Sequence, residues 1–230
     1  MKPEILFEDK DIIVCVKKAG EPVQSDKTLD YDLVNRLKNY LCEEQGAKNP
    51  YIGLVHRLDR PVGGVMVFAK NKKAAAELSK QVKEKSIGKW YSCVVLKELP
   101  ELLGKDAVVL EDYIKKNGKT NTSEIVKETD KEGKVAKLAY KVMEVVDGKS
   151  LIEVELFTGR HHQIRLQMAA HVAGLAGDTK YNKEAKKEDG RKGVALFSNR
   201  LVFTHPTTGK TMEFEAKPTG IWWNYFSSVI

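Results

Sequence analysis

The chain opens with an apolar pattern that predicts a pair of β-strands followed by a helix. The runs "EILFED" and "DIIVCV" are rich in strand-forming residues and are separated by a polar turn. From Asp30 onward, Leu33, Leu37 and Leu41 recur at helical spacing. This stripe predicts an amphipathic helix that ends near Gly46, where glycine commonly closes a last turn.

A second amphipathic helix is predicted in "NKKAAAELSKQVKEKSIGK". Asn71 has the chemistry of an N-cap, and Ala75, Leu78 and Val82 form the expected buried line. Gly88 marks the end of the last turn. The run "KWYSCVVL" then resumes strand character.

The middle of the chain separates into a polar stretch and a hairpin. Residues 101–137 are rich in Lys and Glu, and we interpret them as an exposed, flexible excursion around the turn "KKNGKTNTS". The apolar runs "KLAYKVMEVV" and "SLIEVELF" are joined by Asp147 and Gly148, a pair typical of two-residue β-hairpin turns.

A third helix is predicted in "TGRHHQIRLQMAAHVAG", with Thr158 as its cap and Gly174 at its end. Ile164, Met168 and Val172 would form its buried line. The tail alternates strands and turns in "NRLVFTHP", "TTGK" and "TMEFEAKP". Strands outnumber helices and several connections are hairpins, so the sheet should be mixed and mostly antiparallel.

Composition leaves several classes of protein open. The 230 residues suit one large domain or two small ones. The 39 Lys and Arg residues against 32 Asp and Glu give a net charge of +7, which fits a polyanionic partner.

Three widely spaced cysteines indicate neither a disulfide framework nor a zinc ribbon. With no signal-like or membrane-length apolar run, we expect a cytoplasmic protein that does not span a membrane.

The stretch "GLVHRLDRPVGG" places ionisable groups beside a buried apolar run. Asp59 lies between Arg57 and Arg60, and cations keep a neighbouring carboxylate ionised and available as a nucleophile or base. A structural ion pair at a strand end is the alternative. The glycines at 63 and 64 permit close backbone approach but lack the context of a nucleotide-binding loop.

A second polar cluster lies in "TGRHHQIR". Arg160 is near the predicted helix start, and helical spacing would place His161 and Arg165 on one face. The cluster could contact an anion, or its histidines could be ordinary surface or core residues. A metal site of His161, His162 and His171 is the rival, but the spacing matches no known zinc motif.

The strand "KWYSCVVL" adds a lysine and a tyrosine to these candidates. Alternation places Lys89 and Tyr91 on one strand face, although a tyrosine in a strand is commonly a packing residue.

Taken in order, "GLVHRLDRPVGG", "KWY", "LFTGRHHQIRLQMAAHVAGLAGD..Y" and "LVFTHPTTG" closely resemble the motifs of the RluA family of pseudouridine synthases. The opening "ILFEDKDIIVCVKKAGEPVQ" extends the resemblance over most of the chain. The family more often has Pro at position 18, a small hydroxyl residue at 63 or 64 and Thr at 162. Because the first motif begins within ten residues, we expect a short form without the small N-terminal RNA-binding module of many relatives.

The resemblance implies an α/β fold of the α+β kind, with a mixed, largely antiparallel sheet flanked by helices around a central active-site cleft. We expect residues 1–230 to form a single catalytic domain that acts as a monomer. The implied activity isomerises uridine to pseudouridine in ribosomal or transfer RNA. This isomerisation is redox-neutral, so no small-molecule cofactor and no metal are expected.

The resemblance also assigns roles to residues. Asp59 aligns with the catalytic aspartate, Arg165 with the arginine that pairs with it, and Tyr91 with a tyrosine that can stack on the detached base. A stacked uridine must be extracted from RNA, and Arg57 would contact the phosphate or fill the vacated stack. The expected substrate-binding residues are Arg57, Tyr91, Arg165, Arg60, His56 and Arg160.

Two other functions are compatible with parts of the sequence. A non-catalytic RNA-binding protein could retain the same fold, although loss of Asp59 would be its signature. A metal-dependent nuclease could be built on Asp59, Asp178 and the histidines. The basic segment 180–193 could contact RNA or be a solvated loop.

Overall fold

The computed structural model of the protein describes residues 2–24, 31–185 and 193–229. The chain divides into two compact units. Unit 1 comprises Met1–Gly88 and Ser198–Ala216, and unit 2 comprises Lys89–Phe197 and Lys217–Ile230. The helices are α1 (Leu33–Gln45), α2 (Lys72–Glu84) and α3 (Gln163–His171). The strands are β1 (Glu4–Glu8), β2 (Ile12–Lys17), β3 (Gly53–Leu54), β4 (Gly63–Ala69), β5 (Gly88–Val95), β6 (Val108–Asn117), β7 (Thr122–Val126), β8 (Lys134–Val146), β9 (Lys149–Leu156), β10 (Leu196–Thr204) and β11 (Thr211–Glu215).

The strands of unit 1 follow the order β1-β2-β4-β10-β11, with the short β3 also paired to β4. The β1/β2, β2/β4, β3/β4 and β10/β11 pairs are antiparallel. Every residue of β2 and β4 is buried, because both faces of these central strands are covered. The core includes Ile12, Val14, Val65, Val67, Leu78 and Phe203.

The helix α1 is confirmed as the leucine stripe predicted. Leu33, Leu37 and Leu41 are all buried. The Asp32 side chain caps the helix by accepting the backbone N–H of Asn35 at 2.7 Å. Gly46 closes the helix with a φ of 64°, as its position predicted.

The second helix confirms the predicted Asn71 cap, whose side chain accepts the Ala74 N–H at 2.9 Å. Its end and its buried face differ from the prediction. The helix ends at Glu84 with Lys85 as its C-cap, at a φ of 59°, and Gly88 instead begins β5.

The buried line of α2 is Ala74, Leu78 and Gln81, whereas Ala75 and Val82 are only partly buried. Gln81 can be buried because its amide donates to the Thr204 carbonyl at 2.8 Å and accepts the Thr204 N–H at 3.0 Å. A pattern of apolar residues does not indicate that a polar side chain such as Gln81 will be buried with its hydrogen bonds made.

The strands of unit 2 follow the order β5-β9-β8-β6-β7, and each neighbouring pair is antiparallel. The predicted hairpin between β8 and β9 is confirmed, with Asp147 and Gly148 at φ values of 47° and 75°. The mixed, mostly antiparallel α+β architecture predicted from the sequence is therefore present. No helix among the described residues combines the length and apolar character needed to cross a membrane.

The prediction of a flexible excursion over 101–137 is wrong. This stretch forms β6, β7 and the start of β8, and β6 pairs with both of the others. Many of its side chains are charged, and most lie exposed or partly buried, so the apolar alternation that marks a strand is weak.

The start of α3 also differs from the prediction. The helix begins at Gln163 after His162, which has a φ of 53°. Thr158 does not cap it: the Thr158 hydroxyl donates to the Gln163 side-chain carbonyl and accepts the Lys137 N–H, each at 2.8 Å. His161 therefore precedes the helix and does not share a helical face with Arg165.

Candidate active site

Asp59 belongs to a short connection between β3 and β4, residues 55–62, called here the aspartate loop. Leu58 is buried and anchors the loop, whereas Arg57 and Arg60 are exposed and Asp59 is partly buried. The Asp59 carbonyl accepts the Val62 N–H at 3.0 Å and closes a turn. The loop therefore presents one carboxylate between two cations at the surface of unit 1.

Backbone contacts fix both ends of the aspartate loop. The His56 Nε2 atom accepts the backbone N–H of Val67 in β4 at 3.2 Å. Arg60 donates from Nε to the Gly20 carbonyl at 3.1 Å and accepts the Gly20 N–H at 2.8 Å. His56 and Arg60, both predicted to bind substrate, thus make contacts that hold the loop in place.

Lys17, the last residue of β2, was not among the predicted site residues. Its side chain is fully buried, and its ammonium donates to the carbonyls of Lys18 at 3.0 Å and Arg60 at 3.1 Å. Burial lowers the pKa of Lys17 to about 8, while the carboxylates of Glu21 and Asp59 oppose that shift. A lysine ending a wholly buried apolar strand is the sequence signal that could have identified it.

The position of Gly64 shows why a glycine is required just after the aspartate loop. Its φ is +130°, and a Cβ added there would lie 2.4 Å from the Ser198 carbonyl oxygen. The expected close backbone approach is therefore present, between β4 and β10. Only glycine satisfies both the backbone angle and the space.

Unit 2 contains the other candidate residues. Tyr91 is buried on β5, where it pairs with Val154 of β9. Arg160 lies between β9 and α3 and donates from Nε to the Val135 carbonyl at 2.8 Å. That bond ties Arg160 to β8.

Arg165 is buried in α3 and forms a bidentate ion pair with Asp178. Its Nε and Nη2 atoms lie 2.7 Å and 2.6 Å from the two carboxylate oxygens. The guanidinium carbon also lies 5.2 Å from the centre of the Tyr181 ring. Arg165 therefore faces inward to a buried partner, and the sequence did not identify Asp178 as that partner. The pairing of Arg165 with Asp59 stays a prediction.

Tyr181 links this ion pair to the start of α3. Its hydroxyl accepts the Ser123 N–H at 2.7 Å and is hydrogen-bonded to His162 Nδ1 at 2.8 Å. Burial, with the nearby charge of Arg165, lowers the pKa of His162 to about 3, so its imidazole is neutral. His161 stacks on His162 and binds the Ser123 hydroxyl through Nδ1 at 2.9 Å.

Among the described residues, His161, His162 and His171 do not form a group of three potential metal ligands. His171 binds the Asp112 carboxylate at 3.0 Å, and Asp178, a ligand of the alternative nuclease, is neutralised by Arg165. A charge-neutralised carboxylate is a poor cation ligand.

One other group of potential metal ligands exists in the described part of the chain: Asp9, Asp11 and His205. His205 Nδ1 accepts the N–H groups of Thr207 and Thr208 at 3.2 and 3.1 Å. Its Nε2 therefore carries the proton and donates to Asp9 at 2.8 Å. Both nitrogens are committed, which makes this group a hydrogen-bonded junction in unit 1.

Comparison with known proteins identifies the family. Residues 11–170 match the family model described as RNA pseudouridylate synthase. The chain is 34% identical over 218 residues to an uncharacterized RNA pseudouridine synthase of Bacillus subtilis, covering 94% of this chain and 69% of that one. It is 32% identical over 226 residues to ribosomal large subunit pseudouridine synthase D of Zymomonas mobilis, covering 93% and 68%. The chain thus spans about two thirds of the length of these relatives.

Solved structures share the fold. The human protein titled RNA pseudouridylate synthase domain containing 4 superimposes with a TM-score of 0.76 at 21% identity, over 93% of this chain and 88% of that one. The human domain containing 1 protein gives a TM-score of 0.72 at 21% identity, over 94% and 84%. By its sequence matches, the chain belongs to the RluA family of RNA pseudouridine synthases, which are isomerases.

Proposed function

We propose that this protein isomerises specific uridines of ribosomal or transfer RNA to pseudouridine, with Asp59 as its catalytic carboxylate. The observation that carries the proposal is the aspartate loop, which holds a carboxylate between two exposed arginines on a backbone fixed at both ends. A preorganised carboxylate is what nucleophilic or general-base chemistry at a sugar requires.

Asp59 acts at the sugar of the target nucleotide, so that the base can leave its nitrogen bond, turn and reattach through carbon 5. Lys17 assists by bonding the Arg60 carbonyl next to Asp59 and by placing a buried positive charge near the carboxylate.

Arg57 captures the RNA. It is exposed and, within the described residues, has no hydrogen-bonded or ion-paired partner of its own. An unpaired guanidinium next to the nucleophile can bind a phosphate or take the place of an extracted base. Removing a uridine from a stacked RNA costs a few kcal/mol, about the size that such contacts can offset.

Tyr91 and Arg165 complete the residues assigned to the reaction. Tyr91 offers a buried ring on a rigid strand, which suits stacking on the detached uracil. Arg165 is fixed by Asp178 through Nε and Nη2, so its plane is set before RNA arrives. We keep Arg165 as the partner of the catalytic carboxylate, as the family resemblance implies.

The substrate class follows from the relatives. Several of them are titled ribosomal large subunit pseudouridine synthases, among them D of Zymomonas mobilis and C of Salmonella typhimurium. We therefore place ribosomal RNA ahead of transfer RNA as the substrate. Pseudouridine mapping of both RNA classes, from cells with and without the gene, tests this choice: sites that vanish only from transfer RNA would overturn it.

The assembly and location form part of the same proposal. We propose that residues 1–230 act as one catalytic domain, as a monomer, in the cytoplasm. Cys15 and Cys93 are buried free thiols and Cys42 is an exposed one, which is compatible with a reducing compartment. Light scattering of the purified protein tests the monomer: a mass of two chains would contradict it.

A further inference from the structure

Lys89 is a partly buried cation that the proposed mechanism leaves unused. It precedes Trp90 on β5, and strand alternation places it on the same face as Tyr91. Among the residues that the structure describes, it has no hydrogen-bond or ion-pair partner. Burial lowers the pKa of its ammonium and is the sole cause of that shift, so no carboxylate compensates the charge.

A glycine lies beside the Lys89 ammonium. Its Nζ atom lies 3.7 Å from the position that a Cβ on Gly159 would occupy. Gly159 lies between β9 and α3, in the connection that also carries Arg160 and His161. Because glycine has no side chain, residue 159 places no side-chain atom over the ammonium.

An unpaired charge away from bulk water is unfavourable for the free protein. Partly burying an ammonium costs solvation free energy that a partner normally offsets. Groups kept in such a state are enriched at functional sites, where the missing partner belongs to a ligand. The ligand complementary to an ammonium is an anion.

We propose that Lys89 binds a backbone phosphate of the RNA substrate next to the target uridine. This inference rests on the proposed function, since Tyr91, which shares its strand face, is assigned to the uracil base. A nucleotide whose base stacks on Tyr91 carries its phosphates within reach of the same face, because base and phosphate belong to one unit. Binding restores to the ammonium a charged partner and the hydrogen bonds that burial removed.

The test compares Lys89→Met with Lys97→Met, which removes the same charge from an exposed lysine beyond the other end of β5. Both changes are made in the Asp59→Asn background, so that RNA is bound without being converted. The affinity for an unmodified large-subunit ribosomal RNA transcript is measured over a range of salt concentrations. Each lost phosphate contact lowers the slope of log K against log salt by about 0.7 to 0.9.

We expect Lys89→Met to bind about tenfold more weakly at low salt, with a slope smaller by about one contact. Lys97→Met should change neither quantity to that extent, and Lys89→Arg should retain most of the affinity. A salt slope of Lys89→Met equal to that of Lys97→Met overturns the inference. So does an unchanged slope together with a loss of turnover when Lys89→Met is made alone, with Asp59 intact, which would assign Lys89 to the uracil carbonyls.

Thermal unfolding separates binding from a structural role. Removing an unpartnered charge should leave the unfolding temperature of Lys89→Met unchanged or higher than that of the wild type. A marked decrease would mean that the ammonium stabilises the fold, and would contradict the inference. Pseudouridine formation by the wild type on the same transcript reports on the proposed function separately, because the slope comparison involves no turnover.

Discussion

Arg165 and Asp178 form a bidentate ion pair in which both side chains are buried, 4% and 0% exposed. Removing the charge of one partner leaves the other buried and uncompensated. We expect Asp178→Asn to lower the free energy of unfolding by about 3–5 kcal/mol, measured by urea denaturation. Pseudouridine formation should fall further than the remaining folded fraction explains, because Arg165 loses its fixed plane.

Asp112→Asn is the matched control, since Asp112 is also a carboxylate of unit 2 that bonds side chains of α3. The partners of Asp112 are Gln167 and His171 and include no arginine. Asp112→Asn should therefore lower the free energy of unfolding less than Asp178→Asn does. Equal losses of unfolding free energy for the two variants would mean that the Arg165–Asp178 ion pair stabilises the fold no more than the contacts of Asp112 do.

Gly64 should be intolerant of even a methyl group. Gly64→Ala combines a φ of +130° with a Cβ that would lie 2.4 Å from the Ser198 backbone oxygen. Gly209→Ala serves as the control, because Gly209 has a φ of +70° and nothing within 4 Å of the added Cβ. The control should lose about 1–2 kcal/mol of stability, and Gly64→Ala should lose clearly more in urea unfolding. Similar losses would show that the approach of β10 does not constrain this position.

His162 makes stability depend on pH in the acid range. Its pKa falls from 6.5 to about 3 on folding, so between these values the unfolded chain binds the additional proton. Stability should therefore decrease as pH falls from 6.5 towards 3. His162→Asn should weaken that dependence, because asparagine tolerates the positive φ and does not titrate.

Urea unfolding of the wild type and His162→Asn at several pH values between 7 and 4 measures this effect. His171→Asn, which removes an exposed histidine at the end of the same helix, is the control. If the wild type and His162→Asn lose stability in parallel as pH falls, the buried neutral imidazole is not the cause.

Arg57→Ala should impair both capture and turnover of RNA. Loss of one charged contact should weaken binding about tenfold, and the rate under single-turnover conditions should also fall. Arg200→Ala is a suitable comparison, because Arg200 lies in unit 1 and is paired with Glu213. Arg57→Ala with wild-type affinity and a reduced rate alone would restrict this arginine to the chemical step.

The sequence predicted the elements whose signals are local. The leucine stripe of α1, the Asn71 cap and the Asp147–Gly148 turn each depend on residues within a few positions of one another. The strands β6 and β7 were missed because their apolar residues do not alternate regularly with polar ones. The strand β6 pairs with β7 across a short turn and with β8 further along the chain, and strand pairing of this kind does not depend on a local apolar period.

The candidate site likewise has features that the local sequence predicts and features that only the fold determines. The inward direction of Arg165 could be predicted from its apolar neighbours, but its partner Asp178 lies beyond the end of α3 and is selected by the fold. The geometry of His161 and His162 depends on a positive φ that no pattern indicates for histidine. Of the basic segment 180–193, residues 186–192 lie outside those that the structure describes.

The most direct measurement is pseudouridine formation by Asp59→Asn. Asparagine keeps the shape of the side chain but has neither the charge nor the nucleophilicity of a carboxylate. In a tritium-release assay on an RNA that the wild type modifies, the variant should show no turnover while retaining near wild-type RNA affinity and unfolding temperature. Turnover above a few per cent of the wild-type rate would contradict the assignment of Asp59 as the catalytic carboxylate.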